Sequence, residues 1–358
     1  MNITVNGEML ILARDFRQMT QKDLALKTGI SQSSIAKVEG GLQSTFSEEH
    51  LIKLVEALKF PSSFFEQKEE LLSFGSSSYF YRKRTSITAQ DRKQIHTVVN
   101  MARIAIKKFM SLIDVVATRT MPRFDLEEFG NDPARVAQAV RGAWTLPDGP
   151  VRNLTAIMES AGILIVPCDF KSRAFDATSL RLGGYPPMVF INDNLPGDRW
   201  RHTLAHELAH LVMHEVPSDT MEKEADAFAA EFLCPAVQIR PHLSRLTKWT
   251  IAELAPLKQF WQVSIASLIY RAKELQVITV EFARNLYIRY APIRQKEPLP
   301  LTRETQSSFS KIIAAIRDSL GYGDSGVSRL VHWPEDVTQR LLFLGEEASP
   351  LARLRLVQ

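Results

Sequence analysis

Two histidines and a glutamate stand at a spacing that can hold and use a metal ion. His206, Glu207 and His210 form the pattern His-Glu-x-x-His. Residues four apart share one face of a helix, so both imidazoles can reach one ion while Glu207 stands beside them. Catalytic zinc takes three protein ligands and leaves one position for water. The pattern therefore predicts a zinc site with Glu207 as general base, and it requires a third ligand.

The third ligand is expected on the helical stretch Met221 to Phe232. Glu222 and Asp226 stand four residues apart in it. In this arrangement the first carboxylate binds the metal and the second orients a ligand histidine through its free ring nitrogen. At about 100° per residue, Glu224 points to a different side of the helix from Glu222, so only one of them can face the metal. The spacing favours Glu222 as ligand and Asp226 as the orienting group.

Two further histidines, His202 and His214, stand on the same helix, four residues to either side of the pair. They are alternative ligands. Two histidines and one carboxylate already complete a catalytic zinc set, which favours flanking positions for them. For the oxyanion of a cleavage reaction, the sequence offers His214 and Tyr185 as candidates.

The sequence ahead of the histidine helix predicts a small sheet with helices around it. Helices are expected at Pro133 to Trp144 and Val151 to Ala161, and strands at Gly162 to Cys168, Ser179 to Gly183 and Pro187 to Asp193. Within the last of these, Met188 to Ile191 is expected to offer its backbone edge to an extended substrate. The histidine helix is expected to start after Pro196-Gly197-Asp198, with Asp198 as its cap.

Residues 8 to 66 carry apolar side chains at the three-and-four spacing of amphipathic helices, which predicts four or five short helices. Thr20 and Asp23 can cap one of them. Gly29 permits a left-handed turn, and Ser31 can cap the next helix. Two helices joined by such a turn form a helix-turn-helix.

In a helix-turn-helix the second helix enters the major groove, and its first turn reaches base edges. Gln32, Ser33 and Ser34, with Lys37 one turn on, are therefore the candidate base readers. Gln21 can hold a phosphate through its side chain or through the helix N-terminus. The alternative is that these are solvated polar positions on a protein-binding helical bundle.

A basic stretch follows the head. Residues 82–108 carry eight basic side chains and one acid, Asp91, for a local net charge of +7. The basic residues are Arg82, Lys83, Arg84, Arg92, Lys93, Arg103, Lys107 and Lys108. Ser73 to Gln90 has the glycine and serines of a linker, and Thr88 with Asp91 predicts a helix start, with the helix running to about Val116. Its cations either form a solvated face or contact DNA phosphates.

The last third of the chain is mostly helical in pattern. Trp249 to Thr279 predicts two helices, with Ser264 as the cap of the second. Their spacing fits either a second DNA reader or, as we favour, a subdomain that shapes the substrate site. Pro292 to Gln358 is punctuated by prolines and glycines and suits a helical module for dimerisation or sensing.

Composition fits an ordinary globular protein. The chain has 358 residues, 45% of them hydrophobic and 23% charged, and such a length suits two or three domains of roughly 100–200 residues. No apolar run approaches the ~20 residues that span a bilayer, and the start lacks the features of a signal peptide. We therefore expect a cytoplasmic protein without a membrane partner. Cys168 and Cys234 are too few for a disulfide framework.

Two stretches resemble known families. The head resembles the phage-repressor (Xre) class of helix-turn-helix domains. The motifs that carry this resemblance are Thr20-Gln21, Leu24-Ala25, Gly29-Ile30-Ser31 and Glu39-Gly40-Gly41. The ImmA/IrrE family of zinc metallopeptidases is resembled over about residues 140 to 240, with its active-site helix at Arg199 to His210 and its third-ligand helix at Glu222 to Ala229, followed by Leu233 and Pro235. Many members of that family carry an Xre head. The resemblance implies Zn²⁺ as cofactor and a repressor or other regulatory protein as substrate.

With this resemblance the sequence predicts a mixed, mainly α fold. An all-α helix-turn-helix head precedes an α+β zincin-like metallopeptidase domain and a helical C-terminal region. The expected segments are 1–72 for the head, 73–131 for the linker and basic helix, 132–290 for the metallopeptidase domain with its helical subdomain, and 291–358 for the C-terminal region.

Two functions stay open at this point. In the first, the protein is a DNA-bound zinc endopeptidase that cleaves a partner repressor or itself. In the second, it is a non-proteolytic transcription factor whose zinc fold is a sensor or a brace. Glu207 favours the first, because a structural zinc site has no use for a general base. The DNA partner is expected to be a double-stranded operator, an inverted repeat read by a homodimer.

Overall fold

The computed structural model describes residues 2–72, 87–216, 218–293 and 297–343. Within these residues the head consists of five short helices and two paired strands. The helices are α1 (Gly7–Phe16), α2 (Gln21–Thr28), α3 (Gln32–Glu39), α4 (Glu48–Leu58) and α5 (Ser62–Phe65). The strands β1 (Asn2–Thr4) and β2 (Thr45–Ser47) pair antiparallel. The predicted four or five helices are confirmed, whereas strands of three residues are too short to show an alternating pattern in the sequence.

Local hydrogen bonds set the turn between α2 and α3. Thr20 and Asp23 form a reciprocal capping box at the start of α2, and Gly29 ends the helix with a φ of 70°. The side chain of Ser31 accepts from the backbone N–H of Ser34 and caps α3. Each bond joins residues close in sequence, so the sequence pattern predicts it. The helix-turn-helix prediction is confirmed.

The long helix α6 (Ala89–Phe109) begins at the capping box predicted for Thr88 and Asp91. Its expected extension to about Val116 is wrong, because the helix ends at Phe109. The hydroxyl of Ser111 donates to the carbonyl of Lys108 at 2.7 Å and satisfies one of the free carbonyls of the last turn.

The central unit surrounds a three-stranded sheet with helices. Its helices are α7 (Pro133–Ala143), α8 (Leu154–Ser160), α9 (Gly197–Met213), α10 (Met221–Leu233), α11 (Ala236–Ser244), α12 (Ile251–Trp261), α13 (Ile265–Glu274) and α14 (Val280–Tyr290). Its strands are β3 (Leu164–Cys168), β4 (Ala177–Leu180) and β5 (Met188–Asn192). The predicted helices and the strands at Gly162 to Cys168 and Pro187 to Asp193 are confirmed, as is the Ser264 cap, which accepts from the backbone N–H of Ser267 at 3.0 Å. The strand expected at Ser179 to Gly183 lies earlier, at Ala177–Leu180.

The strand order corrects one expectation. The order is β3-β5-β4, with β5 parallel to β3 and antiparallel to β4. Met188 to Ile191 therefore lies in the central strand, and its backbone groups are already paired on both sides. The strand at the edge, beside α9, is β4, so a substrate that adds a strand would pair with Ala177–Leu180.

The C-terminal helices pack on the head. They are α15 (Ser308–Ala314), α16 (Gly323–Val331) and α17 (Glu335–Leu342), with a π-helical turn at Ala315–Ser319 between the first two. Their apolar side chains share one core with α6 and the head helices. Arg17 binds Asp336 at 2.7 Å, and His332 is hydrogen-bonded to the hydroxyl of Ser63 at 2.9 Å.

The cations of α6 point toward the rest of the molecule. Lys93 binds Asp15 at 2.7 Å, and Lys107 binds Glu69 at 2.9 Å. The guanidinium of Arg103 is buried and donates to a head carbonyl. Lys93 and Lys107 remain exposed while they bind acids of the head, which agrees with the solvated-face explanation. The buried Arg103 fits neither of the two sequence explanations. Arg82, Lys83 and Arg84 lie outside the described residues, as does most of the expected linker.

A strap of residues 297–308 crosses the central unit and joins it to α15. The carboxylate of Glu304 accepts from the backbone N–H groups of Leu154 and Thr155 at the start of α8. Glu159 accepts from the N–H groups of Ser307 and Ser308 at 2.8 and 2.7 Å. The strap thus fixes α15 and α8 to each other by charged hydrogen bonds.

The predicted fold class, mixed and mainly α, is confirmed. In the described ranges, no helix combines the length and the apolar character needed to cross a membrane.

Candidate metal centre and helix-turn-helix

The first turn of α9, the histidine helix, is held by the strap. A Cβ on Gly197 would overlap the carbonyl oxygens of Leu301 and Thr302, so only glycine permits this approach. Four residues on, Arg201 is 1% exposed and forms an ion pair with Glu304. These contacts join residues about a hundred positions apart, and they fix where α9 begins.

The expected cap of α9 is wrong. The helix starts at Gly197 after Pro196, which makes no side-chain cap bond. Asp198 lies inside the first turn, where its Oδ2 accepts from the buried ammonium of Lys258 at 3.2 Å. A carboxylate in the first turn still suits the helix dipole.

The predicted metal ligands come together. The Nε2 atoms of His206 and His210 lie 3.1 Å apart. The carboxylate oxygens of Glu222, on α10, lie 3.5 Å from each of these nitrogens. Two ligands about 2.0–2.1 Å from a tetrahedral zinc ion are separated by about 3.3 Å. The three atoms are therefore spaced as the corners of one coordination sphere.

The chemistry of these groups fits a cation. The ring nitrogens that face Glu222 are the ones not used in bonds to Asp226 and His214. Glu222 Oε1 is inaccessible to solvent and has no hydrogen-bond partner within the described residues. A buried carboxylate oxygen without a donor is costly unless a cation neutralises it. Two neutral imidazoles and one carboxylate form the donor set that catalytic zinc takes.

Each histidine is oriented by a second group. His206 Nδ1 lies 2.9 Å from Asp226 Oδ1, as the sequence reasoning expected. His210 Nδ1 lies 2.8 Å from His214, whose other ring nitrogen lies 3.0 Å from Glu224 Oε2. The sequence reasoning placed His214 beside the pair but missed the role of Glu224. The sequence feature that could have predicted this role is His214, a third histidine at the same four-residue spacing. A histidine that orients a ligand needs a carboxylate partner of its own, and here that partner is on α10.

The acidic residues around the pair also shape its protonation. Burial lowers the pKa of His206, but its hydrogen bonds to the carboxylates of Asp226 and Glu222 outweigh burial and raise the pKa to about 10. Burial and the charge of His206 hold the pKa of His210 well below its ordinary value. The carboxylates therefore stabilise one positive charge between the rings, the place that a metal ion would take.

Two family models match the chain where these features lie. Residues 158–273 match the IrrE N-terminal-like domain of the peptidase M78 family. Residues 7–70 match a helix-turn-helix domain. The chain joins a helix-turn-helix domain to an IrrE N-terminal-like domain. No curated protein matches it in sequence.

Glu207, the general-base candidate, lines a small cavity beside His206, His210 and Glu222. These three residues are called the metal cluster below, and the cavity is called the metal cavity. The cavity has a volume of about 60 Å³, and its wall includes His206, Glu207, Glu222 and Ala177 of the edge strand β4. Glu207 is 3% exposed. The candidate base, two of the three candidate ligands and the strand edge therefore meet in one place.

Two other candidate residues of the IrrE-like domain lie differently. His202 lines the wall of the metal cavity without joining the three-residue cluster. Tyr185 lines a separate cavity with Met110 and Ile113, so it is not an oxyanion partner at this site. The second oxyanion candidate, His214, is engaged by His210 and Glu224.

In the helix-turn-helix domain, the first turn of α3 faces outward. Gln32, Ser33 and Lys37 are exposed, and Ser34 is half-buried, with its hydroxyl 2.8 Å from that of Ser31. Gln21 uses its side-chain amide for an internal bond to Glu39 at 2.7 Å. Of the two expected ways to hold a phosphate, the helix N-terminus is thus the one that this geometry favours.

Proposed function

We propose that this protein is a DNA-binding regulator whose IrrE-like domain is a zinc endopeptidase of the His-Glu-x-x-His type that cleaves a regulatory protein. The observation that carries the proposal is the cluster of His206, His210 and Glu222, whose ligand atoms all lie within 4.8 Å of one another, beside the buried Glu207. A structural zinc site needs no such base.

The residues divide the work of peptide cleavage. His206, His210 and Glu222 would hold a zinc ion, which would supply a bound water with its pKa lowered to roughly 7 and a Lewis acid for the substrate carbonyl. Glu207 accepts the proton of the attacking water and passes it to the leaving amine. The edge of β4 aligns an extended substrate by strand addition. Asp226 and the His214–Glu224 pair hold the two imidazoles in their orientations.

Substitutions test this assignment. Glu207→Gln is expected to keep zinc and lose cleavage, whereas His210→Ala is expected to lose both. His242→Ala is a matched control, since His242 lies on α11 and stacks on Phe260. Zinc is measured by mass spectrometry of the native protein. Full zinc occupancy in a His206→Ala/His210→Ala double variant contradicts the ligand assignment.

In this proposal the helix-turn-helix domain holds the peptidase at a specific DNA site. We propose that α3 reads a double-stranded operator, an inverted repeat bound by a homodimer, and that the substrate is a repressor acting there. The exposed first turn of α3 supports base reading. Mass spectrometry of cellular proteins with wild-type protein and with Glu207→Gln identifies the substrate. If zinc is bound and no protein is cut, the non-proteolytic sensor is the function instead.

Self-cleavage is a second candidate, favoured by the position of Ile87. This residue belongs to the expected linker Ser73 to Gln90, and it lies in the wall of the metal cavity with Glu207. Purified wild-type protein and Glu207→Gln are incubated with zinc, with and without operator DNA. A fragment that ends within residues 73–86 and forms only from the wild type supports self-cleavage. An intact chain under all these conditions leaves the partner as substrate.

A further inference from the structure

A second cavity adjoins the metal cavity toward the C-terminal end of α10, which lines both. It has a volume of about 280 Å³ and lies between α10, α13 and α14. His202 and Asp226 line both cavities. Asp226 also touches the ligand His206 at 2.9 Å, so the second cavity opens within one side chain of the metal cluster.

The walls of this cavity are small and mostly apolar. The side chains that leave the space open are Ala229, Ala230, Ala266 and Ser267, and Leu233 and Val263 are also in its wall. Tyr270 and Tyr287, each 37% exposed, stand in the same wall, toward solvent. The volume lies just below the roughly 300–1,000 Å³ of small-molecule sites, so it suits one large side chain.

The charges near the cavity are already neutralised. Arg271 lines it, but its guanidinium is 2% exposed and forms ion pairs with Glu231 and Glu274. It also donates to the carbonyl of Cys234 at 2.9 Å. Asp226 is engaged by His206. The cavity therefore offers little to a charged side chain and rewards the transfer of apolar surface from water.

We propose that this cavity is the specificity pocket of the peptidase site and takes a bulky apolar side chain, such as that of Leu, Phe or Met, from the residue next to the cleaved bond. The inference rests on the proposed function. A residue bound at the metal cluster and its neighbour are about 3.8 Å apart along the backbone, which matches a pocket that shares two wall residues with the metal cavity.

The first experiment reads cleavage preference. Peptides from a denatured cell lysate, digested at glutamate so that internal Lys and Arg remain, are incubated with the zinc-loaded protein. Mass spectrometry is expected to show a bulky apolar residue at one position beside the cut. Ala266→Phe fills the pocket and should shift that position to Gly, Ala or Ser, with a loss of about 10- to 200-fold for the bulky residue. A preference for Lys or Arg there, or an unchanged preference in the variant, overturns the proposal.

The matched control is Ala227→Phe. Ala227 is half-buried on the same helix as Ala230 and lines neither cavity. It should keep the wild-type preference. Ala230→Phe fills the pocket from the other side and replaces Ala266→Phe if the latter fails to fold by circular dichroism.

The second experiment needs no cleavage. Calorimetry compares succinyl hydroxamates with a benzyl or a methyl side chain on the zinc-loaded Glu207→Gln protein. The benzyl compound is expected to bind about 10- to 100-fold more tightly, and Ala266→Phe should abolish the difference. Equal binding of both compounds refutes the pocket even if peptides are cut. If the Glu207→Gln protein prefers the benzyl compound but the wild-type protein cuts no peptide in the first experiment, the peptidase function is refuted and the pocket stands.

Discussion

The helix α3, which carries the candidate base readers, and the histidine helix α9 begin as similar short motifs, but the fold places them in opposite surroundings. On α3 the candidate readers Gln32, Ser33 and Lys37 are exposed, and the cap of the helix comes from within four residues. On α9 the candidate ligand His210 and the candidate base Glu207 are 6% and 3% exposed. Contacts to α9 come from residues about a hundred positions away. A side chain on α3 can thus change binding alone, whereas one around α9 affects stability and chemistry together.

The strongest test of this contrast is the ion pair that holds α9. Glu304→Ala leaves the buried Arg201 without its carboxylate partner, and breaking a buried pair costs about 3–5 kcal/mol. Asp336→Ala removes the partner of Arg17, and the side chain of Asp336 is 60% exposed. This substitution should lower the free energy of unfolding by no more than about 1 kcal/mol. Urea unfolding measures both. If Glu304→Ala lowers the free energy of unfolding no more than Asp336→Ala does, α9 does not depend on the strap.

The next largest effect is expected at Asp226 and Glu224, the carboxylates that orient the candidate ligand histidines. Asp226→Ala should weaken zinc binding about 10- to 100-fold, because His206 loses its orienting carboxylate. Glu224→Ala should cost less, since it acts on His210 through His214. Lys223→Ala, exposed on the same helix, is the control. Competition with a chelator measures the affinities, and unchanged values for both acidic variants would contradict these roles.

On α3 the expected change is confined to DNA binding. Gln32→Ala should cost about 1–3 kcal/mol on the specific duplex and relax specificity at one position. Its free energy of unfolding should stay within about 0.5 kcal/mol of the wild type, because the side chain is exposed. Gel-shift titrations measure binding. An equal loss on specific and random duplexes would argue against base reading.

The smallest effect on stability is expected at Lys108, which lies on α6 and faces the carbonyl of Leu330 on α16. Burial lowers the pKa of this lysine to about 8 in the folded protein, against 10.5 for the free side chain. Below pH 8 folding partly removes a charged ammonium from water, so Lys108→Met should raise the free energy of unfolding slightly.

Between pH 8 and 10.5 the unfolded chain binds more protons at Lys108 than the folded chain does. Stability of the wild type should therefore rise with pH relative to Lys108→Met, and the difference should shrink. Urea unfolding at pH 7 and pH 9.5 tests the sign. A difference that grows with pH would contradict the burial of this lysine.

The sequence by itself determined the features that depend on near neighbours. The capping boxes at Thr20 and Thr88, the left-handed Gly29 and the four-residue histidine spacing all arise from bonds or faces within one turn of helix. Helix periodicity also separated Glu222 from Glu224. These patterns were enough to predict the helix-turn-helix and the set of residues that could form a metal site.

The tertiary structure decided what depends on partners far along the chain. It placed β4 rather than β5 at the sheet edge, turned cations of α6 toward the head, and joined Glu304 to Arg201. It also brought Glu224 to His214. No local pattern encodes these pairings, because strand order and helix packing follow from how the whole set of apolar faces is buried at once.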